Sequence, residues 1–389
     1  MQHKKILFDL LSAQPVGDTK FHGGGEYIKT VFKKLIECYR DNVHISVFYD
    51  RNKFIDTWIS DLIKRFNVPI YNTVNIKDVS NVLQLEKFDV FYSGLPYAYT
   101  QDIFPYEIKK IGTFHGMRPI ECPGDKYEYL YMNDDTFKAK VKKHLFKNNI
   151  FKQIWDYRQK CSSLKTYDAA LKCFDKCVVV SEHTKYAVCN YFPKYKNRIE
   201  VCYSPSKVNS EVMEKNVTSE DYILIISANR WLKNSYRALK ALDDMYDRNL
   251  IPNFKVVVVG MQDKEFISRI KNRQFFQFRG YVSTKELEEL YSHCKVFLYP
   301  TLNEGFGYPP LEAMNYGRTC IVSAVCSLPE ICGEAVYYIN PYDLGEIQTR
   351  ILTALEHNIS DDVIYRQRNK ILYRQNLDLD KLCKLIVNG

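Results

Sequence analysis

The chain has 389 residues, room for two domains at about 150 residues each, and either half is long enough to bury its own core. Hydrophobic residues make up 46% and charged residues 26%, with 16 glycines and 14 prolines, which excludes collagen-like, low-complexity and largely disordered chains. A formal charge of +9 permits nucleic acid, anionic lipid or phosphorylated small molecules as partners without choosing among them. The first apolar run, Lys5–Leu10, is broken at Asp9 and is too short for a signal peptide. It reads as a strand, followed by the glycine loop Gly23-Gly24-Gly25 and a helix-period segment Tyr27–Tyr39. Further strands are predicted at His44–Tyr49, Val90–Ser93, Lys110–Phe114 and Lys176–Ser181, and Ser181 is expected to cap the helix after it. A polar break spans about Ser204–Asp221. Beyond it, strands at Tyr222–Ala228, Phe254–Gly260, Phe275–Gly280, Lys295–Pro300 and Thr319–Ser323 alternate with helices at Ser235–Asp247, Lys264–Arg273 and Thr284–His293. Such alternation argues for parallel sheets covered by helices. Because it occurs twice, the expectation is two doubly wound Rossmann-like domains, 1–204 and 222–365, joined by a linker at 205–221.

Twelve scattered cysteines contain no Cys-x-x-Cys pair, so no zinc or thioredoxin-type site is expected. Cys173 and Cys177 read as buried thiols on one helix face. No stretch approaches the roughly 18 apolar residues of a transmembrane helix, and a reducing cytoplasm is the expected compartment.

The densest cluster of chemistry runs from Pro300 to Met314. A buried strand ends at Pro300, a loop with Gly305 and Gly307 follows, and a helix then begins. Glycine lets backbone approach a ligand closely, and a helix start favours a diphosphate. Glu304 in the loop and Glu312 in the helix can both accept hydrogen bonds from neutral sugar hydroxyls. The stretch resembles the Glu-x7-Glu motif of the retaining GT-B glycosyltransferases of the group-1, or family-four, type. Ser323-Ala-Val-Cys-Ser-Leu-Pro-Glu330 with Gly333 and Pro341, and Arg279-Gly280-Tyr-Val-Ser, are similar to that family's text. The resemblance is strong from about Ile223 to Pro341 and weaker before it.

The resemblance implies a GT-B fold with a site in an inter-domain cleft and a nucleotide-diphosphate sugar as donor substrate. A magnesium phosphate site needs a carboxylate pair beside the phosphates, and the sequence offers none there, so no metal or other cofactor is expected. It implies that Glu304 takes donor-sugar hydroxyls, that the amides of Gly305, Phe306 and Gly307 face the sugar and diphosphate, and that Glu312 holds the ribose. Gly280 would border the base, and Lys233 would neutralise the leaving diphosphate. The family often has an arginine five residues before that lysine; here Ala228 stands there and Arg230 is the nearby candidate. Gly23, Gly24 and Gly25 resemble the loop that approaches the donor from the other side, and His115 sits at a strand end where relatives have His-Asp; here Gly116 follows. The C-terminal residues 366–389 would pack back on the N-terminal domain.

Asp378-Leu-Asp380 has the letters of a metal motif but lies near the chain end, where it reads as the start of a terminal helix. Paired glutamates could also serve a glycoside hydrolase, but those acids usually come from separate strands. Residues 138–160 carry eight basic side chains against the single acid Asp156, a net +7, with Val141, Leu145, Ile154 and Trp155 as a partial apolar stripe. That pattern suits an anionic membrane surface on the N-terminal, acceptor-side domain; no nucleic-acid recognition motif accompanies it. The sequence thus points to a retaining, metal-independent glycosyltransferase acting on a glycan or lipid-linked glycan in bacterial cell-surface biosynthesis, cytoplasmic and peripheral on the inner face of the membrane. A GT-B nucleotide-sugar epimerase and a non-catalytic basic binding protein are the alternatives.

Overall fold

The computed structural model describes residues 3–15, 22–206 and 219–389. It has two compact units: residues 1–117, 162–209 and 372–389 form one, and residues 118–161 and 210–371 the other. Most of the expected linker, residues 207–218, lies outside the described residues.

The first unit holds seven strands: β1 (Lys4–Asp9), β2 (Val43–Tyr49), β3 (Ile70–Asn72), β4 (Val90–Ser93), β5 (Lys109–Phe114), β6 (Lys176–Val179) and β7 (Ile199–Val201). They form one sheet in the order β3-β2-β1-β4-β5-β6-β7, with every pairing parallel. The second unit holds β8 (Glu220–Ile225), β9 (Lys255–Val259), β10 (Phe276–Arg279), β11 (Cys294–Tyr299), β12 (Thr319–Ser323) and β13 (Tyr337–Ile339). Their order is β10-β9-β8-β11-β12-β13, again parallel throughout. Each unit is therefore doubly wound. In the second the order reverses between β8 and β11, and ligands of such sheets bind outside the carboxyl ends of the strands at that point. The central strands are continuous apolar runs because both faces are covered; Ile223, Leu224, Val256, Val258, Val296, Phe297 and Leu298 are at most 3% exposed.

Three strands absent from the sequence expectation, β3, β7 and β13, are three-residue edge strands, too short and too partly exposed to leave a periodic signal. The helix expected over Lys264–Arg273 stops at Ile267. The Asp243 carboxylate captures the backbone amides of Lys271 and Asn272 at 3.0 and 2.9 Å and turns the chain away. Cys173 ends a helix while Cys177 is buried on β6, so the two thiols do not share a helix face, and all twelve cysteines are free. Ser181 caps helix Glu182–Tyr191 by accepting the Thr184 amide at 3.1 Å.

The segment 118–161 belongs to the second unit, not to the N-terminal domain in which its sequence position placed it. Leu130 enters the core of that unit, flanked by Tyr127, Tyr129 and Tyr131. The Tyr131 hydroxyl accepts the Tyr236 amide at 2.8 Å. Arg237 grips Asp125 with two hydrogen bonds, at 3.1 and 2.8 Å, between side chains only 5% and 8% exposed. The last helix is continuous from Asp361 to Asn388, so Asp378 and Asp380 do not start a helix but lie within its last three turns. Asp378 accepts from the Tyr203 amide and from Arg374, and Asp380 pairs with Lys34. Among the described residues no helix is long and apolar enough to cross a membrane.

Candidate active site

In the second unit the chain leaves β8 at Ile225, makes a short turn Trp231–Lys233 and enters helix Ser235–Asp247. The neighbouring β11 ends at Tyr299, and the loop 300–307 leads into helix Tyr308–Met314. The two loops are tied together: the Leu232 carbonyl accepts the Leu302 amide at 2.8 Å and lies 3.0 Å from the Thr301 hydroxyl. This juxtaposition brings Lys233 and Glu304, 71 residues apart in sequence, into an ion pair.

Tyr299 joins the pair. Lys233 donates to its hydroxyl oxygen at 2.5 Å, and that hydroxyl donates to Glu304 Oε1 at 2.6 Å. Thr301 Oγ1 lies 3.0 Å from the same carboxylate oxygen. Oε1 is thus held by three side chains, while Oε2 makes no hydrogen bond among the described residues, leaving one acceptor oxygen for a ligand. Burial pushes the Glu304 carboxyl up, but the Lys233 charge and the hydrogen bonds from Lys233, Tyr299 and Thr301 outweigh it and hold the group below its ordinary range. Burial pulls the Lys233 ammonium down; Glu304 opposes that, and the charges of Arg230 and Arg118 add to it. Arg230 is exposed beside the buried lysine. Lys233, Arg230 and Arg118 gather positive charge at this end of the sheet, which suits an anion.

The glycine loop is braced from below. Ser327 Oγ donates to the carbonyls of Glu304 and Phe306 at 3.1 and 2.8 Å. Gly307 has φ +107°, and a Cβ there would lie 2.5 Å from Leu328 Cδ2, so only glycine fits. The helix after it begins Tyr308-Pro309-Pro310, and the two prolines remove backbone donors from its first turn. Glu312 lies in that helix, half-buried, and accepts the Tyr291 hydroxyl at 3.1 Å. Gly280 follows β10, and a Cβ there would meet the Gln262 side chain at 2.6 Å.

In the first unit, Gly23, Gly24 and Gly25 are not a loop. They are the first turn of helix Gly23–Cys38, capped by His22, whose Nδ1 accepts the Gly25 amide at 3.0 Å. A Cβ on Gly25 would sit 2.9 Å from the Ala13 carbonyl, so close packing sets the glycine here. His115 follows β5, and its ring meets Tyr27 edge-on at 4.6 Å. Its Nε2 donates to the Gly94 carbonyl at 2.8 Å, which leaves Nδ1 as an acceptor. Burial, with His22 nearby, lowers its pKa to about 4. The unfolded ring, near 6.5, binds a proton in the window from about 6.5 down to 4 that the folded ring refuses, so His115 costs stability as pH falls through it. Discounted for the ring's partial exposure, the loss is roughly 1–2 kcal/mol. Urea denaturation at pH 7 and pH 5 measures it: His115→Asn has the flatter dependence, and identical slopes contradict this account.

The sequence reading did not single out Tyr299, Thr301, Ser327 or Arg118. A tyrosine ending an apolar run looks like core, and its hydroxyl's partners appear only once β8 and β11 lie side by side. Asp9 at the end of β1 was likewise noticed only as a break in an apolar run. It is fully buried and accepts from Ser12, Ser93 and Tyr99 at 2.6–3.0 Å.

The sequence pattern of the glycosyl transferases group 1 matches residues 209–370, the segment that carries Lys233, Glu304, Gly307 and Glu312. That match covers less than half of the chain. The serotype-specific mannosyltransferase WbdA of Escherichia coli is 29% identical over 173 residues, 42% of this chain and 20% of that protein. The O-antigen chain mannosyltransferase B of E. coli is 31% identical over 158 residues, 39% of this chain and 42% of that protein. The chain thus spans less than half the length of these curated relatives. Among solved structures, Anabaena HepE in complex with UDP and glucose aligns with TM-score 0.65 at 14% identity, over 98% of this chain and 100% of that one. Sucrose-phosphate synthase of Thermosynechococcus elongatus aligns with TM-score 0.66 at 13% identity, over 98% of both chains. The fold is GT-B, with two doubly wound α/β domains.

Proposed function

We propose that the protein transfers a sugar from a nucleoside-diphosphate sugar to a hydroxyl of a glycan or lipid-linked glycan, with retention at the anomeric carbon. The observation that carries this reading is the Lys233–Tyr299–Glu304 network at the β8/β11 switch point, beside a glycine loop and two arginines. In this reading Lys233 and Arg230, with the amides of Gly305, Phe306 and Gly307, take the diphosphate. Glu304 Oε2 accepts a donor-sugar hydroxyl, Glu312 accepts the ribose hydroxyls, and Gly280 gives the base room. The diphosphate leaves on the face from which the acceptor attacks and helps take the acceptor proton, so the protein supplies position and electrostatic stabilisation rather than a strong base. In the first unit, His115, with Nδ1 as an acceptor, and the Gly23–Gly25 helix start are the candidate site residues. No metal takes part, because the cations do its electrostatic work.

The relatives' names add substrate class: mannosyl transfer in O-antigen chains supports a bacterial cell-surface glycan as product and places a nucleoside-diphosphate mannose first among donors to try. The enzyme would work in the cytoplasm, peripheral on the inner face of the membrane, where a lipid-linked acceptor lies. A panel of UDP- and GDP-sugars, read by thermal shift in excess chelator, tests the donor reading. Stabilisation by one nucleotide-sugar without added metal is expected. No response to any donor, or one that needs magnesium, contradicts it.

A further inference from the structure

The basic segment 138–160 suits an anionic surface, but its charge alone does not choose the face that meets the lipid. We infer that the outer face of helix Phe137–Phe146 is the docking element and that it lies in the plane of an anionic membrane surface; the inference rests on that reading. The positive segment divides into two sets of lysines. Lys143 and Lys152 are buried and paired, Lys143 with Asp134 and Glu265 at 3.1 and 2.8 Å, Lys152 with Glu128 and Asp156 at 2.8 and 2.5 Å. The Lys143–Glu265 pair ties the segment to the rest of its unit, and the other pairs brace it internally. Lys138, Lys140 and Lys147 are exposed and make no ion pair among the described residues.

The apolar side chains divide the same way. Phe146 is 3% exposed, and Trp155, expected to face the lipid, packs edge-on against it at 5.6 Å with Lys142 Nζ 4.8 Å above the indole. Trp155 is therefore not the anchor. Phe137, Val141 and Leu145, at i, i+4 and i+8, form one outward row and are 81%, 41% and 37% exposed. Helical spacing sets Lys138 on one flank of that row and Lys140 on the other. No acid occurs from Thr136 to Trp155. An exposed apolar row flanked by lysines on a helix anchored by its opposite face is what in-plane insertion into anionic headgroups requires. A phosphate backbone would use the lysines but not the row. A second copy of the chain would use the row but bring like charges together.

The test is co-sedimentation of the full chain with vesicles of phosphatidylcholine alone and with phosphatidylglycerol added, at low and high salt. The wild type is expected to bind only the anionic vesicles, more weakly in high salt. The double variant Phe137→Ser, Leu145→Ser should bind roughly tenfold more weakly with unchanged circular dichroism. Leu85→Ser, which removes a 79% exposed leucine outside the 138–160 segment, should bind like the wild type. If the wild type binds neither vesicle, the peripheral reading itself falls. If it binds but the double variant matches Leu85→Ser, the reading stands and this face is wrong. Equal binding to both vesicle types, or a wild-type dimer that the double variant splits, overturns the proposal.

Discussion

Lys233→Ala lowers turnover by roughly 10²–10³, the usual cost of removing one well-placed electrostatic donor from a transition state that develops negative charge. Lys233 is the cation the fold has invested in. It sits on the turn after β8, only 9% exposed, fixed by Tyr299 and Glu304 before any ligand arrives. In the donor complex its charge is expected to move from Glu304 toward the leaving diphosphate. Removing it leaves Glu304 half-buried without its directly paired ammonium, so stability also drops. Lys233→Met with Glu304→Gln restores neutrality and separates the two effects: its melting temperature recovers and its turnover does not. Glu312→Ala should behave differently, raising the nucleotide Kd with a smaller change in kcat, because the ribose contacts proposed for it would be made equally in ground and transition states. Steady-state kinetics with calorimetric Kd values measure the set. Near-normal turnover in Lys233→Ala contradicts the assignment.

Arg237→Met destabilises the protein by about 3–5 kcal/mol, the typical cost of leaving one member of a buried ion pair alone. Arg237 bonds both oxygens of Asp125 and Asn234 Oδ1 at 2.7 Å, with its guanidinium 4.7 and 5.0 Å from the ring centres of Tyr127 and Tyr342. The methionine keeps an apolar stem but strands the Asp125 carboxylate. Asp125→Asn together with Arg237→Met should therefore be milder than Arg237→Met alone. Two units need not unfold in one step, so hydrogen exchange is the better probe. Protection in 122–131 and in the first turns of helix Ser235–Asp247 should fall together. A variant whose exchange is unchanged in both segments contradicts the view that this pair fastens the segment.

That pair also marks where sequence reading stops. The ten strands foreseen are mostly apolar runs such as Val256–Val259 and Val296–Tyr299, whose burial on both faces is written in composition. Glu304, Gly307 and Glu312 were legible because a strand end, glycines and acids fall within a dozen residues. Arg237 and Asp125 stand 112 residues apart, and neither carries a local signal. The same distance hid the attachment of 118–161: a tyrosine-rich turn around Leu130 looks like any aromatic loop until the core it fills is known. Gly23–Gly25 misled in the other direction, because three glycines resemble a loop although close packing is what demands two of them.

The most direct measurement of the central claim is proton NMR of the purified chain incubated with a nucleoside-diphosphate mannose, or the sugar its donor panel selects, and a synthetic lipid-linked glycan acceptor in excess chelator. The expected result is a new glycosidic linkage with the donor's anomeric configuration, formed only when the acceptor is present and lost in Lys233→Ala. An inverted linkage, a changed donor sugar without acceptor, or nucleotide-sugar left intact would contradict it.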